Sequence, residues 1–123
     1  MNGGNVLVDT NICLYLLSGN ETISEILDGN TLFISFITQL ELLSYPTISE
    51  IDTIKIQNFI DDCIVIDLNE DIKESVIHLR RKYKIKLPDS IIAATCEYFD
   101  IPIFTADKGF KKIQELNILY YQT

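Results

Sequence analysis

Hydrophobic residues follow two different spacings along the chain. Some form short, nearly unbroken runs rich in Val, Ile, Leu and Phe, which predict strands covered on both faces. These runs occupy residues 6–8, 31–35, 63–66, 101–104 and 118–120. Others recur every three or four positions and predict amphipathic helices. The helical runs occupy residues 12–17, 23–27, 38–45, 49–61, 69–82 and 89–99, and a short helix ends at Ile113.

The alternation of these runs predicts the fold class. Strands that alternate with helices form parallel sheets with right-handed crossovers. We therefore expect an α/β protein of three layers, α/β/α, with a mainly parallel sheet of about five strands. The sequence shows no internal repeat, linker or low-complexity tract, which favours one domain.

The composition indicates a globular protein that stays inside the cell. Hydrophobic residues make up 47% of the 123 residues, a share too high for a disordered chain. No apolar run approaches the length of about 20 residues that a membrane helix needs, and no secretion signal is recognisable. The three cysteines are odd in number and lie in apolar surroundings, which is typical of buried thiols in a reducing compartment. We expect a cytoplasmic protein without membrane contact.

Charge is distributed unevenly along the chain. The formal net charge of −8 by itself argues against a nucleic-acid partner. Residues 1–79, however, contain two Lys or Arg against thirteen Asp or Glu, whereas residues 80–112 contain eight basic residues against four acidic ones. The acidic average therefore conceals one basic region.

Four acidic residues occupy matching places relative to the predicted strands and helices. Asp9 comes directly after the first strand, and Asp107 follows the fourth strand by three positions. Glu41 and Asp89 lie early in helices. Each acid also has a local explanation. Glu41 fits a capping box that begins at Thr38. An acid at a helix start interacts favourably with the helix dipole, by roughly 0.3–1 kcal/mol.

Taken together, the four acids favour one shared site. The ends of parallel strands and the helix starts that follow them meet at the same edge of a sheet, so the carboxylates should converge. Two carboxylates about 5 Å apart repel by roughly 3 kcal/mol at an effective dielectric constant of about 20, so four of them need a divalent cation or bound protons. An all-oxygen set favours Mg²⁺ or Mn²⁺ over zinc. Four neighbouring side chains are expected to hold the carboxylates by hydrogen bonds, namely Thr10, Asn11, Ser90 and Thr105.

Four stretches of the chain resemble the acidic signatures of the PIN domain family. They are V-L-V-D-T-N, T-Q-L-E-L-L, L-P-D-S-I-I-A-A and I-F-T-A-D-K-G-F, in this order. The size and the order of elements are similar to those of the compact VapC-type toxins of bacterial and archaeal toxin–antitoxin pairs. The resemblance covers essentially the whole chain, and it implies a Rossmann-like PIN fold with residues 1–123 as a single PIN domain.

The resemblance also implies a function. It implies a metal-dependent endoribonuclease, whose catalytic and metal-binding residues are Asp9, Glu41, Asp89 and Asp107. It further implies an RNA substrate, a homodimer and a cognate antitoxin that blocks the cleft. In such a site the three aspartates would hold one or two Mg²⁺ or Mn²⁺ ions, and Glu41 would complete the set or orient the attacking water.

The basic region offers a candidate RNA contact. Its residues come directly before Asp89 and directly after Asp107, where they would border the cleft and bind RNA phosphates. They are Arg80, Arg81, Lys82, Lys84, Lys86 and Lys108, with Lys111 and Lys112 nearby. The alternative is a solvated surface whose charges only stabilise helix ends.

Other classes of protein also place an acid after the first strand. A receiver domain would have an acidic pair there, and a haloacid-dehalogenase-like phosphatase would have a second Asp where this chain has Asn11. Two alternatives stay open within the resemblance itself. One is an RNA-processing PIN protein that is not a toxin, and the other is a catalytically silent PIN-fold interaction module.

Overall fold

Strands and helices alternate along residues 3–122, which are the residues that the computed structural model describes. The strands are β1 (Asn5–Val8), β2 (Thr31–Ser35), β3 (Ile64–Ile66), β4 (Ile103–Thr105) and β5 (Ile118–Tyr120). The α-helices are α1 (Thr10–Leu17), α2 (Glu21–Leu27), α3 (Phe36–Leu43), α4 (Glu50–Asp61), α5 (Glu70–Lys82) and α6 (Leu87–Phe99). A 3₁₀ helix (Lys108–Lys112) lies between β4 and β5.

The five strands form one parallel sheet in the order β3-β2-β1-β4-β5. In the centre, Val6 of β1 pairs with Leu32 of β2, and Val8 pairs with Phe104 of β4. Because all neighbours are parallel, the carboxyl ends of β1, β2 and β4 open on the same edge of the sheet. This confirms the predicted α/β class with a five-stranded parallel sheet.

The two faces of the sheet are covered by different helices. Alternate side chains of β1 point to opposite faces. Leu7 packs in a buried cluster with residues of α5 and α6, whereas Val6 and Val8 pack in a second cluster with residues of α1, α2 and α4. The sheet is therefore the middle of three layers.

The start of α3 differs from the sequence-based expectation. The helix begins at Phe36, and the hydroxyl of its N-cap Ser35 accepts a hydrogen bond from the Ile37 amide. Thr38 therefore lies inside the helix and is buried. The capping box between Thr38 and Glu41 was a wrong expectation, because a serine that precedes the helix already fills the capping position.

The start of α6 places Asp89 in the first helical turn. The helix begins at Leu87, and Pro88 fits its first turn because an amide hydrogen is not needed there. β4 begins at Ile103 and not at residue 101, since Pro102 has no amide hydrogen for the sheet.

Two expectations from composition concern the cysteines and the membrane. Cys13 and Cys96 are buried, Cys63 is half-buried, and all three are free thiols. Over residues 3–122, every helix is too short or too polar to cross a lipid bilayer.

Candidate active site

Asp9 occupies the centre of the site, at the carboxyl end of the middle strand. It is the N-cap of α1 and only 5% exposed. Its Oδ1 accepts a hydrogen bond from the Thr10 amide at 2.8 Å, and its Oδ2 accepts one from the Thr105 hydroxyl at 2.6 Å. A carboxylate is thus held inside the protein by one donor on its own turn and one on β4.

Burial of Asp9 makes its ionised form costly. It raises the pKa of Asp9 from the ordinary 3.8 to about 6, although the hydrogen bonds from Thr105 and Thr10 oppose the rise. The negative charges of Asp89 and Asp107 raise it further. Asp9 therefore lies within electrostatic reach of both, as the predicted convergence requires.

Asp89 and Asp107 are both half-buried beside Asp9. Asp107 is the N-cap of the 3₁₀ helix, and its Oδ1 accepts a hydrogen bond from the Gly109 amide at 2.8 Å. Burial raises the pKa of Asp89, and the charges of Asp107 and Glu41 add to that rise against two nearby lysines. The structure thus brings the four predicted acids into one electrostatic neighbourhood.

Glu41 is tied to the start of α1. It is exposed on α3, and its Oε1 accepts a hydrogen bond from the Thr10 hydroxyl at 2.8 Å. The same hydroxyl lies 2.9 Å from that of Thr38, a buried residue that we had assigned only to helix capping. Since Thr10 follows Asp9 directly, this contact places Glu41 at the mouth of the cleft.

Two of the expected supporting side chains bond to backbone atoms and not to carboxylates. Asn11 Oδ1 accepts from the Ala106 amide at 3.2 Å, which ties α1 to the residue before Asp107. The Ser90 hydroxyl donates to the Leu87 carbonyl at 2.6 Å, within the first turn of α6. The expectation that Ser90 holds a carboxylate was wrong, because the nearest acceptor of a helical serine is the preceding turn of its own helix.

Gly109 is a residue whose role was not anticipated. A Cβ atom at this position would lie 3.1 Å from Asp107 Oδ1, closer than ordinary contact distance. Glycine therefore allows the carboxylate of Asp107 to fold back onto the Gly109 amide. The motif I-F-T-A-D-K-G-F contained the signal, since its glycine follows the acid by two positions.

The four acids suit a hard divalent cation by their chemistry, since their donors are all carboxylate oxygens. Among residues 3–122, however, no group of three or more Asp, Glu, His or Cys side chains is arranged to hold a metal ion. In this arrangement Asp9 accepts hydrogen bonds from Thr10 and Thr105, and Asp107 accepts one from Gly109. An ionised carboxylate has about four lone-pair sites, so ion binding does not require that these hydrogen bonds break.

Part of the basic region borders the acids. Lys84, Lys86 and Lys112 line a pocket of about 240 Å³ together with Asp89 and Asp107. We call it the lysine pocket. It lies between the segment before α6, the first turn of α6 and the 3₁₀ helix.

The other candidate RNA contacts lie elsewhere. Arg80 and Arg81 line a neighbouring groove of about 520 Å³ beside the end of α5, which shares Lys84 and Ile85 with the lysine pocket. The Lys82 ammonium donates to Glu115 at 3.2 Å. Lys108 is exposed at the start of the 3₁₀ helix.

Thr105 provides a test of how the acids are held. Its hydroxyl donates to Asp9 and accepts from the Asp107 amide at 2.9 Å, so Thr105→Val leaves two groups without a partner. We expect a loss of roughly 2–4 kcal/mol in the free energy of unfolding, measured by chemical denaturation. Catalysis that depends on Asp9 should fall by about 10–100-fold.

Thr95→Val is the matched control for this variant. Thr95 is also buried, but its hydroxyl donates only to a carbonyl of its own helix, that of Ile91. We expect a smaller loss of stability and unchanged catalysis. Equal effects of the two variants on catalysis would contradict the role given to Thr105.

Comparisons with known proteins agree with this architecture. A chain of the VapBC2 complex from Rickettsia felis, bound to a DNA fragment of its promoter, superposes with a TM-score of 0.86 at 23% identity, over 96% of this chain and 99% of that chain. A chain of a toxin–antitoxin complex from Klebsiella pneumoniae gives 0.81 at 29% identity, over 96% and 99%. DNA-bound VapBC from Salmonella typhimurium gives 0.85 at 22% identity, over 98% of each chain. No curated protein matches the sequence significantly.

The sequence comparison leads to the same family as the four acidic motifs. A family model described as the PIN domain matches residues 6–116, which include Asp9, Glu41, Asp89 and Asp107. The match covers most of the chain and spans β1 to the loop before β5. The chain therefore belongs to the PIN domain family.

Proposed function

We propose that this protein is a metal-dependent endoribonuclease and the toxin of a VapBC-type toxin–antitoxin pair. PIN domains are generally nucleases, and the likeness to chains of VapBC complexes supports a toxin–antitoxin nuclease. The observation that carries the proposal is the state of Asp9. Asp9 is a buried carboxylate at the end of the central strand, and the charges of Asp89 and Asp107 make its ionisation still less favourable. Such an unfavourable arrangement of charge is typical of a functional site, here one that binds a cation.

Asp9, Asp89, Asp107 and Glu41 are the residues that would hold Mg²⁺ or Mn²⁺. When bound, one or two such ions would activate a water molecule and stabilise negative charge on the leaving 3′ oxygen. The support for this assignment is the all-oxygen donor set together with the mutual repulsion of the acids.

The side chains around the acids would preorganise this chemistry. Thr105 fixes Asp9 by its hydroxyl and accepts from the amide of Asp107, so one side chain sets the spacing of two acids. Thr10 holds one oxygen of Glu41, which leaves the other oxygen to orient the attacking water. In-line attack on the phosphodiester would leave a 5′-phosphate and a 3′-hydroxyl.

The proposal extends to partners, location and domain extent. We propose a homodimer and a cognate antitoxin that covers the acidic cleft, by analogy with the VapBC complexes. We place the protein in the cytoplasm, since its cysteines are free thiols and the substrate that we propose is RNA. We treat residues 1–123 as one PIN domain, because strands from Asn5 to Tyr120 belong to a single sheet.

The experiment that tests the function is cleavage of labelled single-stranded RNA by the purified full chain. We expect cleavage in Mg²⁺ or Mn²⁺, none in excess EDTA, and recovery when the metal is restored. Products should carry a 5′-phosphate, which a phosphate-dependent exonuclease reveals. A chromogenic phosphate monoester serves as control and should stay intact.

Three results would contradict the proposal. Cleavage that persists in EDTA would exclude a metal-dependent site. Hydrolysis of the monoester without RNA cleavage would indicate a phosphatase. An absence of cleavage across several structured and unstructured RNAs, with magnesium bound, would favour the catalytically silent interaction module.

A further inference from the structure

The lysine pocket includes two of the acids, but positive charges outnumber negative ones in its lining. Three lysines (Lys84, Lys86 and Lys112) face two aspartates (Asp89 and Asp107) around a space of about 240 Å³. The chain as a whole carries a net charge of −8, whereas the lining of this pocket carries an excess of one positive charge. Occupation of the acids by a divalent cation would leave the pocket strongly positive.

Two of the lysines are close enough to the acids to act on them. Burial and the charge of Asp107 raise the pKa of Asp89, and the ammonium groups of Lys86 and Lys112 oppose that rise. An anion in the pocket would therefore lie next to the carboxylates that are proposed to hold the metal. This is the position that a neighbouring part of a bound substrate would occupy.

The pocket is held together by a contact across two segments. The Lys112 ammonium, at the end of the 3₁₀ helix, donates to the backbone carbonyl of Lys84. This bond fixes the segment before α6 against the helix that follows Asp107. The two walls of the pocket are thus joined in the absence of any ligand.

The start of α6 adds a further source of positive potential. This helix of 13 residues has Lys86 at its N-cap position, and among residues 3–122 no side chain caps its first amides. Lys86 and Asp89, on either side of the helix start, both line the pocket, so the helix start borders it. The N-terminus of a helix carries a partial positive charge and backbone donors for an anion.

We propose that the lysine pocket binds a backbone phosphate of the RNA, adjacent to the phosphate that is cut, with Lys86 and Lys112 as its cationic ligands. This proposal rests on the nuclease function proposed above and deepens it. It distinguishes Lys86 and Lys112, which line only the lysine pocket, from Arg80 and Arg81, which line only the neighbouring groove. It also gives a role to Lys112, which lies after Asp107 in sequence and reaches back to the other wall.

The test uses a short, fluorescently labelled single-stranded RNA in EDTA, with fluorescence anisotropy as the readout. For Lys86→Met/Lys112→Met we expect about tenfold weaker binding than for the wild-type chain. The plot of log affinity against log salt should become shallower by about 0.7, because one lost phosphate contact on a single strand removes roughly 0.7 from the slope. In Mg²⁺, the KM for RNA cleavage should rise about tenfold with kcat within twofold, as for an interaction equal in ground and transition states.

Lys111→Met is the matched control. It removes one positive charge from the same 3₁₀ helix, but the Lys111 ammonium lies over the Tyr120 ring, 3.8 Å from its centre, and does not line the pocket. We expect its RNA affinity within twofold of wild type. Lys86→Met alone separates binding from structure, because the contact with the Lys84 carbonyl is made by Lys112 and stays intact in this variant. Lys112→Arg should restore most of the affinity lost in Lys112→Met.

Several outcomes would overturn the proposal. One is wild-type RNA affinity and salt slope in the double variant, and another is an equal loss in the Lys111→Met control. A third is unchanged RNA binding with a loss of binding to poly-glutamate, which would assign the pocket to an acidic protein partner. The nuclease proposal fails separately, if the wild-type chain binds RNA through these lysines but does not cut it in Mg²⁺.

Discussion

Asp9→Asn is expected to reduce RNA cleavage by at least about 10³-fold, or roughly 4 kcal/mol of transition-state stabilisation. Asn has nearly the same shape, and its oxygen can still accept from the Thr10 amide. It lacks the negative charge that a divalent cation requires, and its NH₂ group would face the Thr105 hydroxyl. The measurement is the single-turnover rate of RNA cleavage at saturating Mg²⁺.

Asp71→Asn is the control for the removal of one charge. Asp71 is exposed in the first turn of α5, and we expect its cleavage rate to stay within twofold of wild type. Circular dichroism should show the same fold for both variants. A folded Asp9→Asn protein that retains more than a tenth of wild-type activity would refute the role of Asp9 as a metal ligand.

The metal-free protein is expected to lose stability as pH rises from about 4 to about 6. The pKa of Asp9 is about 6 in the folded chain and 3.8 as its ordinary value, so the folded state binds more protons in this window. The contribution of Asp9 to stability is therefore most favourable below the lower value and falls until Asp9 is ionised, by up to about 3 kcal/mol. Urea denaturation of wild type and Asp9→Asn in EDTA measures the effect as a difference, because all other titrating groups are shared.

Magnesium should reverse this loss in the wild-type chain only. At a concentration 100 times its dissociation constant, a ligand of the folded state stabilises by about 2.7 kcal/mol, which corresponds to a rise in Tm of about 10 °C for a chain of this size. The Tm of Asp9→Asn should change by less than about 2 °C. A stability difference between the two proteins that is independent of pH would show that Asp9 is not destabilised by burial, and equal shifts with Mg²⁺ would place the ion elsewhere.

Much of the fold could be predicted because hydrophobic spacing is a local property. The unbroken run at residues 6–8 and the spaced runs around it correspond to β1 and its neighbouring helices, since a strand covered on both faces and a helix with one buried face need these patterns. The boundaries were less predictable. Ser35 and Thr38 are both good capping residues, and only the extent of β2 decides that Ser35 precedes the helix.

The candidate site shows the same division. The position of an acid after β1 or β4 could be read from the order of residues. The hydrogen bond from the Thr105 hydroxyl to Asp9 joins residues 96 positions apart. It forms because β4 lies beside β1 in the sheet, which the order of residues does not reveal. Ser90 misled the prediction, because adjacency to Asp89 in sequence says nothing about the direction of a helical side chain.

The sequence by itself determined the order of strands and helices, the three-layer class, and the positions of four acids near strand ends and helix starts. These features depend on side-chain chemistry and short-range spacing. Only the tertiary structure decided that β1 lies between β2 and β4 and that Lys86 and Lys112 meet at one pocket. It also decided that Asp9 is buried and close enough to Asp89 and Asp107 for their charges to raise its pKa. The physical reason is that strand neighbours are chosen by packing between distant segments. The electrostatic cost of a charge depends on what that packing places around it.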